Sequence, residues 1–517
     1  MGTQQKVLVI GAGHNGLIAA CYLARAGRDV LVLEQSRHPG GGARTAEVIP
    51  GYLFDMHSVA HNIINMTDIP ADLDLVGAGL EYIEMDPFSV AIRADGRRVR
   101  FYRSIEATVA SIAESDRDEA RAYARFMKVA IPIVRSVLPT IRGGMGPGAF
   151  PNRLLNVAAV LRHGHGPIAM SRDILSSYDS LLKRWLYSDL TRGPVSAFAA
   201  HGNVGPNVPG GSVFAFWQAA YHLFGQWHAK GGAGALTSAL LRRLASYGGE
   251  VRCSAPVARI AAPGGKLRSV ILEDGEVIET EAVITAINPK VALLELLDPP
   301  LGGRDGADLS AARMSNVVQA LVHVATDRLP PYPNSIAADY HGLQSYVDTL
   351  EEMTQGFIQA EAGCLPDPLP LYAFTTSALD DTLAPSGRST VYLACPSAPG
   401  RIEGGWETWR DVFVERCLDI VESRAPGFRA SIQGVHAYTP LEMEQDGCWP
   451  LAHPMHLDLT LDQLGPLRPT RRLGNHRTPV QGLYISGAGT NPTGGIAGTP
   501  GRMAAQTLLA DRKARKH

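Results

Sequence analysis

Apolar residues along the chain change spacing repeatedly, and each change marks an element. Val7-Leu8-Val9-Ile10 is a short continuous run, the pattern of a strand buried on both faces. Leu17, Ala20, Cys21 and Ala24 then recur at helical spacing, and Gly27 follows where that helix must end. Val30 to Leu33 returns to the buried-strand pattern. Short alternation from Tyr82 to Phe101, split by Asp95-Gly96, predicts a hairpin. Helical spacing takes over at Ile105 to Arg117, Glu119 to Leu138, Pro151 to His163 and Ile174 to Tyr187. Gly143 to Gly148 and Gly202 to Gly211 read as loops, and Leu236 to Tyr247 as a helix.

Period-two patterning dominates from Gly249 to Asn288. It predicts a meander of Glu250–Arg252, Val257–Ile260, Ser269–Leu272 and Val277–Glu279, with Val283–Ala286 as a buried strand back in the main sheet. Beyond Pro289, strands are expected at Val317–Ala325, Leu371–Thr376 and Thr390–Ala394, and a helix at Trp406–Ser423. The chain closes with a strand at Gly482–Ser486, a glycine-rich turn to Gly498, and a helix from Thr499 through Leu509.

Chemistry enters between the first strand and the first helix. Gly11-Ala12-Gly13-His14-Asn15-Gly16 has the spacing G-x-G-x-x-G, and Glu34 stands just past the second strand. In that context the motif is a dinucleotide fingerprint. Gly11 permits the tight turn, Gly13 lets backbone approach a pyrophosphate, and Gly16 lets helix and strand pack closely. The helix N-terminus offers amide donors to phosphate, and Glu34 is placed to accept from a ribose diol.

At 517 residues the chain exceeds one core and should hold at least two domains. Its net charge of −2 gives no electrostatic case for nucleic acid. Six scattered cysteines without a C-x-x-C pair read as reduced thiols, which favours a cytoplasmic protein. No run reaches the length of a spanning helix, and no signal-peptide pattern precedes the fingerprint.

Pro39-Gly40-Gly41-Gly42-Ala43-Arg44 resembles the second FAD segment of the glycine-doublet flavoproteins. That resemblance implies that Gly41, Gly42 and Arg44 line the cofactor, with Arg44 bringing charge to the phosphates. The C-terminal run Gly487-Ala488-Gly489-Thr490-Asn491-Pro492-Thr493-Gly494-Gly495-Ile496 resembles the carotenoid (phytoene) desaturase flavoproteins. So does His456 to Leu464 with Arg468-Pro469, most closely the branch like pyridine nucleotide-disulfide oxidoreductase domain 2. The resemblance implies an α/β fold: a glutathione-reductase-like, Rossmann-type FAD-binding domain with an inserted α+β substrate domain. FAD contacts are implied at Gly487, Gly489, Gly495 and Ile496, and at the backbone of Val257 beside the adenine. Where those relatives carry His-Pro-Gly-Gly-Gly, this chain has Asn491-Pro492-Thr493-Gly494-Gly495, a departure near the expected flavin ring.

Two catalytic candidates follow from the same resemblance. His57 is a proton-transfer group or a buried, backbone-bonded histidine, with the second reading favoured. Lys230, ahead of Gly231-Gly232, is a charge near the flavin or a surface lysine. The apolar stretch Val129 to Ile141, with Lys128, Arg135 and Arg142, is a wall of the substrate domain or, as the less favoured reading, an interfacial helix at a membrane. His453-Pro454-Met455-His456 and His163-Gly164-His165 are poor metal sites, and no metal is expected.

The expected organisation is an FAD-binding domain of 1–70, 225–300 and 475–517, with substrate-binding segments 71–224 and 301–474. The expected activity is removal of a hydride from an apolar small molecule to flavin, forming a C=C bond. Oxygen or a quinone would be the electron acceptor, because no second nucleotide-binding unit is visible. An amine oxidase, a cyclic-ketone desaturase and a non-redox flavin isomerase stand as alternatives.

Overall fold

The computed structural model describes residues 6–143 and 166–514. Five parallel strands form the first sheet, in the order Leu483–Ile485, Val283–Thr285, Val7–Ile10, Val30–Leu33 and Glu250–Arg252. Leu8 lies opposite both Val283 and Leu31, and Val283 lies opposite Leu483. The two ends of the chain therefore meet in one sheet, through a strand from its middle.

The apolar run of the first strand explains why it is central. Val7 and Val9 face the core beneath helices His14–Arg25, Gly234–Ser246 and Thr499–Ala514. Leu8 and Ile10 face the opposite core, shared with Ile260, Val270 and Leu483. That second core is roofed by a four-stranded sheet of Val277–Glu279, Ser269–Leu272, Val257–Ala261 and Leu297–Asp298. Glu250–Arg252 departs from the expected meander. It pairs in parallel with Val30–Leu33 at the edge of the main sheet, since only Val251 on that strand turns an apolar side chain inward.

A seven-stranded mixed sheet makes the second body. Its order is Ile432–Tyr438, Val317–Thr326, Ser389–Pro399, Tyr372–Phe374, Leu343–Ser345, Ser89–Ile92 and Arg98–Phe101. One face packs on helices Arg117–Ile141, Tyr178–Trp185 and Asp189–Ala199. The other packs on Trp406–Arg424. The two bodies are joined near hairpin Thr45–Ile49 with Tyr52–Asp55, whose Tyr52 and Phe54 rest on Ala325.

The expected hairpin is shorter than its alternation suggests, Ser89–Ile92 with Arg98–Phe101. Tyr82–Glu84 pairs instead with Trp227–Ala229. The first helix of this region stops at Ala113, and the next begins at Arg117, where the Asp116 side chain accepts from the amides of Asp118 and Glu119. Ile174 to Tyr187 is not one helix but parts of two, Pro167–Leu175 and Tyr178–Trp185. The second starts where Ser177 caps the Ser180 amide. The helix expected at Pro151 to His163, most of the Gly143 to Gly148 loop and the His163/His165 pair lie outside the described residues.

Helix Thr499–Ala514 presses closely on His14–Arg25. A Cβ at Gly501 would stand 2.1 Å from the carbonyl oxygen of Asn15. Gly501→Ala is expected to cost about 1–3 kcal/mol by overpacking and to lower the melting temperature by several degrees. An unchanged melting curve would show that this contact has slack.

Candidate active site

Because the strands of the first sheet run the same way, their carboxyl ends open on one side. Gly11, Glu34, Ala286 and Gly487 all line a cavity of about 910 Å³ there. That volume lies near the upper end for ligand sites, enough for a cofactor with a substrate beside it. Val257 and Glu273 join Glu34 at one end. Gly13, Gly41, Gly42, Gly495 and Ile496 line its middle, and aromatic residues including Phe198, Tyr221, Tyr372 and Tyr392 line the other end.

The glycines divide by role. Gly13 caps helix His14–Arg25 without a side-chain hydrogen bond, and a Cβ there would meet nothing within 4 Å. The space in front of the helix N-terminus is open, with first-turn amides aimed at it, and an anion such as a pyrophosphate fits it. Gly41 stacks on Gly13, its added Cβ 3.4 Å from the Gly13 Cα, so the two glycine segments close one side together. Gly11 and Gly487 hold positive φ, +99° and +97°, each backed by Ala286. Gly16 faces away from the cavity. A Cβ there would lie 2.0 Å from the Gly11 carbonyl oxygen, so its hydrogen side chain is what lets the turn and helix meet.

Glu34 is oriented by backbone. Its carboxylate accepts from the Ala12 amide at 2.7 Å and the Ser36 amide at 2.9 Å, which fixes it on the cavity rim. Besides Gly16, three expected residues are placed elsewhere. Arg44 is off the cavity wall, its guanidinium paired with Asp446. Gly489 is also off the wall, held against Pro289 and His456, where a Cβ would be 2.6 Å from the Pro289 ring. Lys230 is exposed, 3.5 Å from Glu81, which is the surface reading of that residue. Sequence spacing brought the segments of Arg44 and Gly489 to the cavity, through Gly41, Gly42 and Gly487, but not the direction in which each side chain leaves the backbone; the segment of Lys230 does not line the cavity.

His57 does reach the cavity. It stands edge-on to Trp449, ring centroids 5.3 Å apart, and its Nε2 has no hydrogen-bond partner. Burial pushes its pKa down to about 4, so the ring is neutral at neutral pH. The stretch Val129 to Ile141 forms a wall of the cavity through Ile133, Val134 and Ile141. Among the described residues no helix is long and apolar enough to cross a membrane, and no cluster could hold a metal ion.

Several positioning residues had no signal in the sequence. His14 points Nε2 at the Gly495 carbonyl, 3.1 Å away, and so ties the first helix to the C-terminal turn. Arg468, fully buried, donates to the carbonyls of Met455, Leu457, Asp458, Gln463 and Ala488. It braces the turn against the preceding segment, a role that the Arg468-Pro469 resemblance does not reveal. His228 and Asp380, both buried, pair at 3.1 Å and link the strand before Lys230 to the second body.

Three glycine-rich strand ends around one cavity define a Rossmann-type flavoprotein. The chain belongs to the flavin containing amine oxidoreductase family, whose pattern matches residues 16–508. It is an FAD-dependent oxidoreductase. The chain is 28% identical to the rat protein named pyridine nucleotide-disulfide oxidoreductase domain-containing protein 2, over 99% of this chain and 94% of that one. It is 26% identical to a lycopene-forming phytoene desaturase of Pseudescherichia vulneris, over 96% of each. Cyclohexylamine oxidase from Brevibacterium oxydans shares the fold, with a TM-score of 0.59 at 15% identity, covering 99% of this chain and all of that one.

Two predictions follow from this geometry. Glu34→Ala removes a backbone-oriented acceptor and is expected to raise the FAD dissociation constant about tenfold or more. Fluorescence titration of the stripped protein with FAD measures this, and an unchanged constant would count against the placement of Glu34. The second concerns acid stability. Burial holds His14 and His57 near pKa 4 and His61 and His456 near 3, against 6.5 for a free histidine. The unfolded chain binds these protons first, so stability is complete above about pH 6.5 and falls as pH drops toward 4. Denaturant unfolding at saturating FAD should show a lower midpoint at pH 5 than at pH 7.5; equal midpoints would refute it.

Proposed function

We propose that this oxidoreductase dehydrogenates a neutral, mainly apolar organic molecule, turning a C–C single bond into a C=C bond. One observation carries the reading. Among the described residues, the only charged side chains on the cavity are Glu34 and Glu273, both at the Val257 end. The aromatic end has no ionised group, and its histidines, His57 and His201, are both shifted toward the neutral form by burial. A protonated amine entering there would lose its water without gaining a carboxylate, a large penalty in an apolar site. A hydrocarbon-like substrate loses nothing. The desaturase relative supports the same choice.

We assign the FAD contacts to Gly11, Gly13, Glu34, Gly41, Gly42, Val257, Gly487, Gly495 and Ile496. Segments 1–70, 225–300 and 475–517 carry them, and segments 71–224 and 301–474 shape the substrate end. FAD, when bound, supplies the two-electron acceptor for the hydride, with oxygen or a quinone as the onward acceptor. The chain's own part is to hold the substrate between Phe198, Tyr221, Tyr372 and Phe374 and to exclude water with Ile133 and Val134. Its neutral His57 offers a ring nitrogen where the adjacent hydrogen leaves as the one proton released; at a pKa near 4 it is a weak base, suited to holding a water that carries the proton out.

The test is reduction of the purified yellow protein without oxygen. Bleaching of the flavin band by neutral terpenoid hydrocarbons or alcohols, with a C=C bond in the product, is expected. Bleaching by amines alone would move the protein to the amine oxidases. Product of unchanged oxidation level, with no bleaching, would make it an isomerase.

A further inference from the structure

Besides the unpartnered Nε2 of His57, the described residues of the apolar chamber place a donor and an acceptor with free hydrogen-bonding capacity on the floor made by the seven-stranded sheet. We propose that the chamber recognises a hydroxyl group on its otherwise apolar substrate, between the Gln319–Tyr372 pair and Nε2 of His201. This rests on the reading of the chamber as a site for neutral substrates.

The proton positions follow from the partners. His201 lies in the turn Ala200–Gly202, directly after helix Asp189–Ala199. Its Nδ1 is 3.2 Å from the Ala197 carbonyl oxygen and 3.1 Å from that of Phe198. Carbonyls only accept, so Nδ1 carries the hydrogen. Burial keeps the ring neutral, and Nε2 is therefore a lone-pair acceptor.

The Tyr372 ring leans on His201, with centroids 5.0 Å apart. Gln319, buried on the same face of the sheet, lies with its amide 3.2 Å from the Tyr372 hydroxyl. If the amide N–H donates, the Tyr372 O–H is left free to donate; if the amide is turned, its own N–H is left free. Either way this pair offers one donor beside the His201 acceptor.

The Tyr392 hydroxyl is already engaged, donating to the His57 carbonyl at 2.8 Å, whereas Nε2 of His57 is a further unpartnered ring nitrogen of the chamber. One donor next to one acceptor is the complement of an alcohol, which both accepts and donates. A ketone satisfies the donor alone, a hydrocarbon satisfies neither, and a carboxylate finds no cation among the described cavity residues.

The experiment compares a terpene alcohol, its ketone and its parent hydrocarbon on the FAD-loaded protein. Binding is read from the perturbation of the flavin spectrum without oxygen. The alcohol is expected to bind at least about tenfold more tightly than the hydrocarbon, with the ketone between them. His201→Phe keeps a ring but removes the acceptor, and the double variant Tyr372→Phe/Gln319→Leu removes the donor. Each should bring the alcohol-to-hydrocarbon affinity ratio toward one, and His201→Gln, which restores an acceptor, should recover part of it. Equal binding of alcohol and hydrocarbon by the unaltered protein overturns the proposal. So does a ratio that survives both variants. If C=C formation is seen from both compounds with equal affinity, the hydroxyl site fails while the dehydrogenase reading stands. If only amines reduce the flavin, the dehydrogenase reading fails, and the affinity ratio still decides the hydroxyl site.

Discussion

Everything in the molecule depends on the parallel alignment of Val7–Ile10 with Val283–Thr285, and of that strand with Leu483–Ile485. A parallel pair cannot be closed by a tight turn, so each strand brings a long excursion with it. The alignment also sends all carboxyl ends the same way, where loops with glycines form a crevice. The site is thus a product of sheet direction first and of side chains second. Glycines at Gly11, Gly13 and Gly487 keep that crevice open, and their lack of side chains is their contribution.

The excursions define a second environment. The Val257 end keeps two carboxylates, whereas the far end is built from aromatic rings, neutral imidazoles and the Arg117–Ile141 wall. Burial explains the contrast in one step. The same desolvation that lowers the histidine pKa values removes any reward for bringing a charged substrate in. Polarity there survives only as oriented neutral groups, such as Gln319 and Tyr372, whose hydrogen bonds need a partner of matching shape.

Local patterning was enough to read the first sheet, its fingerprint and the terminal glycine turn, because a continuous apolar run flanked by glycines has few other uses. Edges and directions were harder. Glu250–Arg252 looks like any other short alternating strand, and only its parallel partner makes it part of the main sheet. Arg44 and Lys230 both turn toward acidic partners, Asp446 and Glu81, that lie far off in sequence. His14, Arg468 and the His228–Asp380 pair have meaning only through residues hundreds of positions away or through carbonyls, which leave no trace in residue identity.

The position of Leu483–Ile485 in the first sheet bears on how the protein is made. Some 470 residues separate it from Val7–Ile10 (483 less 10 is 473), and the closing helix Thr499–Ala514 follows still later. At a synthesis rate of roughly 5–20 residues per second, the N-terminal glycine loop waits on the order of half a minute or more on the ribosome before its counterpart exists. Cofactor capture in this chain therefore waits until Leu483–Ile485 has been made, and a nascent chain that stalls before that strand would expose an unroofed, apolar half-site to the chaperones around it.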